Sequence, residues 1–196
     1  WFKVLYMDVT RKDASAFGVL SVNDQGLVET FSEKPADPQS MPNKPDRSLA
    51  SMGIYIFEME TLQRVLREDA ENDFSSHDFG NDIIPRLIDE QCVYAYNFCS
   101  DRGRVARDCY WRDVGTIDSF YQANMDLLEP IPPMNLYQPN WGVRTYEPQL
   151  PPARTVSSAT GNEGIFINSI IANGVINSGG SVQTSVISSN ERKHGS

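Results

Sequence analysis

The sequence predicts an α/β domain that passes through a proline-rich connector into the start of a parallel β-helix. Three observations predict it. Over the first 130 residues, short apolar runs rich in β-formers alternate with segments of helical periodicity. Pro130, Pro132, Pro133, Pro139, Pro148, Pro151 and Pro152 then punctuate an extended stretch. Beyond it Ile170, Ile176 and Val182 recur every six residues, and Gly174 and Gly180 share that step. A six-residue recurrence is the mark of short strands stacked as coils, each coil burying its neighbour. The expected divisions are residues 1–130, 131–155 and 156–196.

The elements follow in order. Phe2 to Val9 reads as a strand. Phe17 to Val22 and Leu27 to Ser32 flank Asn23-Asp24-Gln25-Gly26, which reads as a hairpin. Residues 35 to 47 hold four prolines and form a loop, because proline lacks the N–H donor and fixes φ. Leu49 to Phe57 is almost continuously apolar, the pattern of a strand covered on both faces. Glu60 to Glu68 carries Leu62, Val65 and Leu66 at helical spacing. Ser75-Ser76-His77-Asp78 can cap a following helix, which Pro85 makes short or bent at its start. Val93 to Phe98 reads as a strand, and Thr116 opens a helix with Ile117, Phe120, Tyr121 and Leu128 on one side.

Composition excludes several function classes. The net charge is −9, and the basic residues are scattered apart from Arg102, Arg104 and Arg107, so the counterion-displacing stripe of a nucleic-acid binder is absent. No apolar run reaches the ~18–20 residues of a membrane helix. Cys92, Cys99 and Cys109 are odd in number and form no C-x-x-C pair, which argues against a disulfide framework or zinc site and for a cytoplasmic protein. The opening WFKVLYMDV reads like a strand entered midway, which leads us to expect a fragment.

Two short runs carry candidate chemistry. In Glu33-Lys34-Pro35, a lysine at a strand end can set its ammonium on a phosphate, and the adjacent carboxylate can accept hydrogen bonds from sugar hydroxyls. A solvated surface pair before a proline turn fits the same three residues. Asp113 lies in Asp113-Val114-Gly115-Thr116, just before a helix. A carboxylate in such a loop suits Mg²⁺, which takes oxygen ligands and few protein groups. Favourable electrostatics at a helix start would explain it equally. His77 has no triad arrangement around it and reads as structural; Tyr110 and Trp111 read as packing residues, and Arg112 as half of an internal ion pair.

Further runs join these: Ala16-Phe17-Gly18, SLASMGIYIF (Ser48 to Phe57), FSSHDFGNDIIP (Phe74 to Pro85), YWRDVGT (Tyr110 to Thr116), WGVRTY (Trp141 to Tyr146) and LPPAR (Leu150 to Arg154). In order and spacing, from about residue 14 to 188, they resemble bacterial glucose-1-phosphate adenylyltransferase, within the nucleotide-sugar pyrophosphorylases. EKP is shared with sister enzymes; SLASMGIYIF, SSHDFG and YWRDVGT together are specific to this one.

The resemblance implies the C-terminal part of a Rossmann-like nucleotidyltransferase domain followed by a left-handed parallel β-helix. It implies that Gly18 lets the backbone approach the sugar, that Glu33, Lys34 and Ser51 hold glucose 1-phosphate, and that Asp113 is one of two aspartates binding Mg²⁺. Lys34 and Asp113 would be the catalytic pair. The reaction implied joins ATP and glucose 1-phosphate into ADP-glucose and diphosphate for glycogen synthesis, by an allosteric enzyme that is a homotetramer at full length.

Some of the family pattern is unmatched. No G-x-G run precedes residue 53, and Asp8 stands where the resemblance calls for proline. The expectation is a chain with the sugar-phosphate half-site, at most weak binding of glucose 1-phosphate, and no adenylyltransferase activity alone. Other readings are a thymidylyl-, uridylyl- or guanylyltransferase, a non-catalytic sugar-phosphate-binding regulatory subunit, and an acyltransferase suggested by the hexapeptide repeats.

Overall fold

The computed structural model describes residues 1–90, 93–100, 109–139, 142, 144–157 and 161–194. Cys92, Arg102, Arg104, Arg107 and Trp141 lie outside the described residues. The chain forms two compact units, Trp1–Arg102 and Gly103–Ser196.

The first unit is a five-stranded sheet of β1 (Phe2–Thr10), β2 (Gly18–Val22), β3 (Val28–Glu33), β4 (Arg47–Phe57) and β5 (Val93–Asn97), in the order β3-β2-β4-β1-β5. Only β1 and β5 run parallel; the other pairs are antiparallel. The β2–β3 hairpin closes as its turn residues require. Asn23 Oδ1 accepts the N–H groups of Gln25 (2.9 Å) and Leu27 (3.0 Å), and Gly26 takes φ +81°. The helices are α1 (Arg11–Ala14), α2 (Met59–Ala70), a five-residue π-turn (Phe79–Ile83) and α3 (Ile84–Asp89).

The core gathers Phe2 and Val4 of β1, Leu20 of β2, Val28 and Phe31 of β3, Val65 of α2, and Ile83, Ile84 and Leu87. The Phe2 and Phe57 rings stack at 4.1 Å. Each such side chain contributes about 1.5–3 kcal/mol when fully buried. Pro85 lies in the first turn of α3, where its missing N–H costs nothing, and the preceding turn widens to π geometry.

β4 corrects one expectation. Its first half is buried, but Ile54 and Ile56 are 44% and 48% exposed while Tyr55 and Phe57 pack on the core. The strand alternates as an antiparallel strand covered on one face does, despite its continuous apolar run. A bulge opposite Leu5 shifts its register, and Gly53 sits there at φ +67°. Asp8 has a polar role in β1: its carboxylate accepts Arg47 Nε at 2.5 Å and Lys44 Nζ at 3.0 Å. Burial would raise its pKa, but hydrogen bonds from Arg47 and Lys44 and their charges hold it below the usual carboxylate range.

The second unit contains α4 (Ile117–Asp126) and a parallel β-helix. Thr116 caps α4 as expected, in a reciprocal capping box with Ser119. Ile117, Phe120 and Tyr121 are 87%, 60% and 61% exposed, and Leu128, which is buried, lies past the helix end.

The β-helix has three short parallel sheets: β6 (Arg154–Val156), β9 (Ile176–Ser178) and β12 (Arg192–His194); β7 (Gly164–Ile167) with β10 (Gly180–Gln183); and β8 (Ile170–Ile171) with β11 (Val186–Ile187). The six-residue step places one residue in each of β8, β9 and β10, but only Val182 of the three is fully inside. Val175 and Asn177, either side of Ile176, fill the coil instead. Asn177 is completely buried and donates through Nδ2 to the Gly180 carbonyl at 2.9 Å. A Cβ on Gly164 would overlap the Asn177 carbonyl oxygen. Gly164→Ala is therefore expected to destabilise the coils by about 1–3 kcal/mol, seen as a lower thermal transition by circular dichroism.

Candidate functional site

Glu33 ends β3 directly opposite Gly18 of β2. Its carboxylate lies between two positions without side chains. A Cβ on Gly18 would come within 2.9 Å of Glu33 Oε2, and one on Gly80 within 2.5 Å of the same atom. Gly80 belongs to the π-turn, so the carboxylate bridges the sheet edge and the helical layer. Only 23% of the Glu33 side chain is exposed.

Lys34 follows with its side chain 67% exposed and Nζ 3.8 Å from Glu33 Oε1. Its backbone sits at φ +43°, left-handed for a residue that also precedes proline. A non-glycine residue there costs roughly 1–2 kcal/mol. The hydrogen bond from Lys34 N–H to the Phe17 carbonyl, at 3.1 Å, secures the conformation. Such a conformation persists where the surrounding structure holds it.

Ser51 is buried in β4, and its hydroxyl accepts the Gly53 N–H at 3.2 Å across the bulge. Tyr55 lies four residues on. Burial pushes the Tyr55 phenol pKa up, a hydrogen bond with Ser51 opposes this, and the charges of Glu33 and Asp78 raise it further. The Tyr55 ring stacks on Phe79 at 5.6 Å. Asp78 caps the π-turn, its Oδ1 accepting the N–H groups of Gly80 (2.8 Å) and Asn81 (2.9 Å).

Gly18, Glu33, Lys34 and Ser51 thus all belong to the first unit. Tyr55, Asp78, Phe79 and Gly80 join them and were not singled out from the sequence. Two signals could have found them. Tyr55 shares a strand face with Ser51 by the period of two, and Asp78 caps a turn whose third residue is glycine. Chemically, the cluster offers hydroxyl donors, two carboxylate acceptors and one exposed ammonium.

Asp113 belongs to the second unit. It is exposed, its carboxylate folded back toward the backbone of Gly115, three residues before the Thr116 cap ends the loop. The segment that carries it is tied to α4 through Asp126, which accepts from Tyr110 Oη (2.9 Å), Arg112 Nη2 (2.6 Å) and Gln122 Nε2 (3.1 Å). Arg112 is the internal ion pair that the sequence suggested. His77 bonds to Asp69 through Nδ1 at 2.8 Å.

Asp126 gives a pH prediction. Burial would raise its pKa, but hydrogen bonds from Gln122, Tyr110 and Arg112, and the Arg112 charge, leave it below the ordinary value. A carboxyl depressed in the folded state stabilises fully above its unfolded pKa and loses that contribution as pH falls through the folded value. Thermal unfolding between pH 6 and 2 should therefore show an acid loss in the second unit that Asp126→Asn reduces.

Comparison with known proteins identifies the family. Residues 2–130 match the nucleotidyl transferase family, and residues 151–196 match the GlmU-like C-terminal hexapeptide family. The chain is 71% identical over 189 residues to glucose-1-phosphate adenylyltransferase 2 of Vibrio parahaemolyticus, covering 96% of this chain and 47% of that protein. It is 72% identical over 186 residues to the Vibrio cholerae protein of that name, covering 95% and 46%. It is 49% identical over 181 residues to glucose-1-phosphate adenylyltransferase 1 of Alkalilimnicola ehrlichii, covering 92% and 42%. The chain spans about half the length of the curated relatives it matches. No helix among the described residues is long and apolar enough to cross a membrane. With the family match covering the sheet, the Glu33 cluster and the Asp113 loop, this chain belongs to the nucleotidyl transferase family, as a homologue of the glucose-1-phosphate adenylyltransferases.

Proposed function

We propose that this chain carries the sugar-phosphate side of a glucose-1-phosphate adenylyltransferase. The observation that carries the reading is the Glu33 carboxylate set between Gly18 and Gly80, beside a strained and exposed Lys34. Sugar hydroxyls are donors that such a carboxylate accepts, and the missing Cβ atoms at Gly18 and Gly80 leave the carboxylate its place. Lys34 neutralises the phosphate as a point charge. Ser51 and Tyr55 offer hydroxyls to the same ligand, and Asp78 a second acceptor.

In the reaction of this reading, a phosphate oxygen of glucose 1-phosphate attacks the α-phosphorus of ATP in line and diphosphate leaves. Positioning and charge neutralisation supply the catalysis. Mg²⁺, when bound, neutralises charge on the reacting phosphates. Asp113 fits it: an exposed carboxylate in a loop suits an ion that keeps water and phosphate oxygens as most of its ligands. The reading carries with it a cytoplasmic location and a homotetramer for the full-length enzyme.

The test is calorimetric titration of the purified chain with glucose 1-phosphate, alongside an assay with ATP, glucose 1-phosphate and Mg²⁺. Saturable sugar-phosphate binding without ADP-glucose is the expected pair of results. No binding overturns the sugar-phosphate reading. ADP-glucose formation overturns the restriction of this chain to that half of the site.

A further inference from the structure

The loop that leads into the π-turn is tied to α2 by a buried carboxylate. Asp69, in the last turn of α2, has a side chain only 8% exposed. It accepts Ser75 Oγ at 2.7 Å and bonds to His77 Nδ1 at 2.8 Å. Ser75 Oγ in turn accepts the His77 N–H at 3.0 Å, which closes the three residues into a ring of hydrogen bonds. A second carboxylate, Asp82, accepts Ser76 Oγ at 2.5 Å and the Asp78 N–H at 3.1 Å. Between these anchors His77 takes φ +58°, a left-handed conformation that persists only where neighbours hold it. Hydrogen bonds with Ser75, then with His77, keep the Asp69 carboxyl below its usual range. An ionised acceptor makes stronger hydrogen bonds than a neutral one.

We propose that Asp69 is a positioning residue for the sugar-phosphate site: by holding Ser75 and His77 it fixes the loop whose next residue, Asp78, caps the π-turn and sets Gly80 against the Glu33 carboxylate. The inference rests on the sugar-phosphate reading above. The path from Asp69 to Glu33 is short. Asp78 follows His77 directly, and its Oδ1 accepts the N–H groups of Gly80 at 2.8 Å and Asn81 at 2.9 Å. A Cβ on Gly80 would stand 2.5 Å from Glu33 Oε2, so the backbone of the π-turn is a wall beside that carboxylate. Asp82 lies within the π-turn and holds Asp78 only relative to the turn itself. Of the two carboxylates, Asp69 is the one that belongs to another element and ties the loop to α2.

The experiment measures glucose 1-phosphate affinity by calorimetric titration, and amide hydrogen exchange by NMR in ¹⁵N-labelled chain. Asp69→Ala should bind about tenfold more weakly than the parent. Asp69→Asn keeps the shape and an acceptor for Ser75 Oγ, and should recover binding to within about threefold of the parent. Asp73→Ala removes the same charge from an exposed position in the same loop and should bind like the parent. Ser75→Ala breaks one arm of the anchor and leaves Asp69 in place. It should bind about threefold more weakly, and it carries the test if Asp69→Ala does not fold. Exchange separates positioning from general stability. In Asp69→Ala the Gly80 and Asn81 amides should exchange about tenfold faster, while the paired amides of β1 and β4 keep their parent rates. In the parent, saturating glucose 1-phosphate should slow those same two amides about tenfold, because ligand binding and order in the turn are linked. Parent-like binding by Asp69→Ala or Ser75→Ala overturns the proposal. So does Asp69→Asn binding no better than Asp69→Ala, or Asp73→Ala weakening binding equally. Uniformly faster exchange in Asp69→Ala, or Gly80 and Asn81 amides indifferent to ligand, overturns it too. Absence of binding to the parent overturns the sugar-phosphate reading together with this inference, whereas parent binding with any of those results overturns this inference alone.

Discussion

Lys34→Ala is expected to weaken glucose 1-phosphate binding about a hundredfold, because a charge-assisted contact to phosphate is worth roughly 1.5–3 kcal/mol. Folding stability should hardly change. The ammonium is 67% exposed and its 3.8 Å approach to Glu33 is a surface pair worth little. Calorimetric titration gives the affinity and thermal denaturation the stability. Lys12→Ala, an exposed lysine in α1, is the control and should bind like the parent. Lys34→Gly extends the test. Glycine accepts φ +43° without the left-handed cost, which offsets its larger unfolded-state entropy. That variant should be as stable as the parent, or up to about 1 kcal/mol more stable, while binding as poorly as Lys34→Ala. Strong binding by either variant would remove Lys34 from the site.

Substituting the two glycines around Glu33 should give different outcomes, because a new Cβ meets different neighbours. At Gly80 the nearest atoms are the tip of the Glu33 side chain, which can rotate away. Gly80→Ala is expected to keep nearly full stability and lose at least tenfold in glucose 1-phosphate affinity, as the carboxylate is displaced. At Gly18 the added methyl runs into the Phe31 ring, which is packed in the core, as well as Glu33. Gly18→Ala should cost about 1–3 kcal/mol of stability in addition to binding. Equal effects of the two substitutions on stability would contradict this placement of Glu33.

Much of the fold was legible in the sequence because its signals are local. The hairpin at Asn23 to Gly26, the Thr116 cap, the disturbed helix start at Pro85 and the coil step of Ile170, Ile176 and Val182 each depend on neighbours a few residues away. The misreadings concern burial. The run from Leu49 to Phe57 is apolar whether one face is covered or both, so only packing shows that Ile54 and Ile56 face outward. In the coils, a six-residue period identifies the repeat without saying which side of each strand points inward; Asn177 and Val175 took that place.

By itself the sequence determined the order of the elements, the family resemblance, and the site candidates Gly18, Glu33, Lys34, Ser51 and Asp113. Only the tertiary structure decided that Gly80 closes over Glu33 and that His77 ties the loop of Asp78 to Asp69. The physical reason is distance along the chain. Glu33 and Gly80 are 47 positions apart, and their approach depends on the strand order β3-β2-β4-β1-β5 and on the packing of the π-turn against β3. No local spacing rule encodes such a contact.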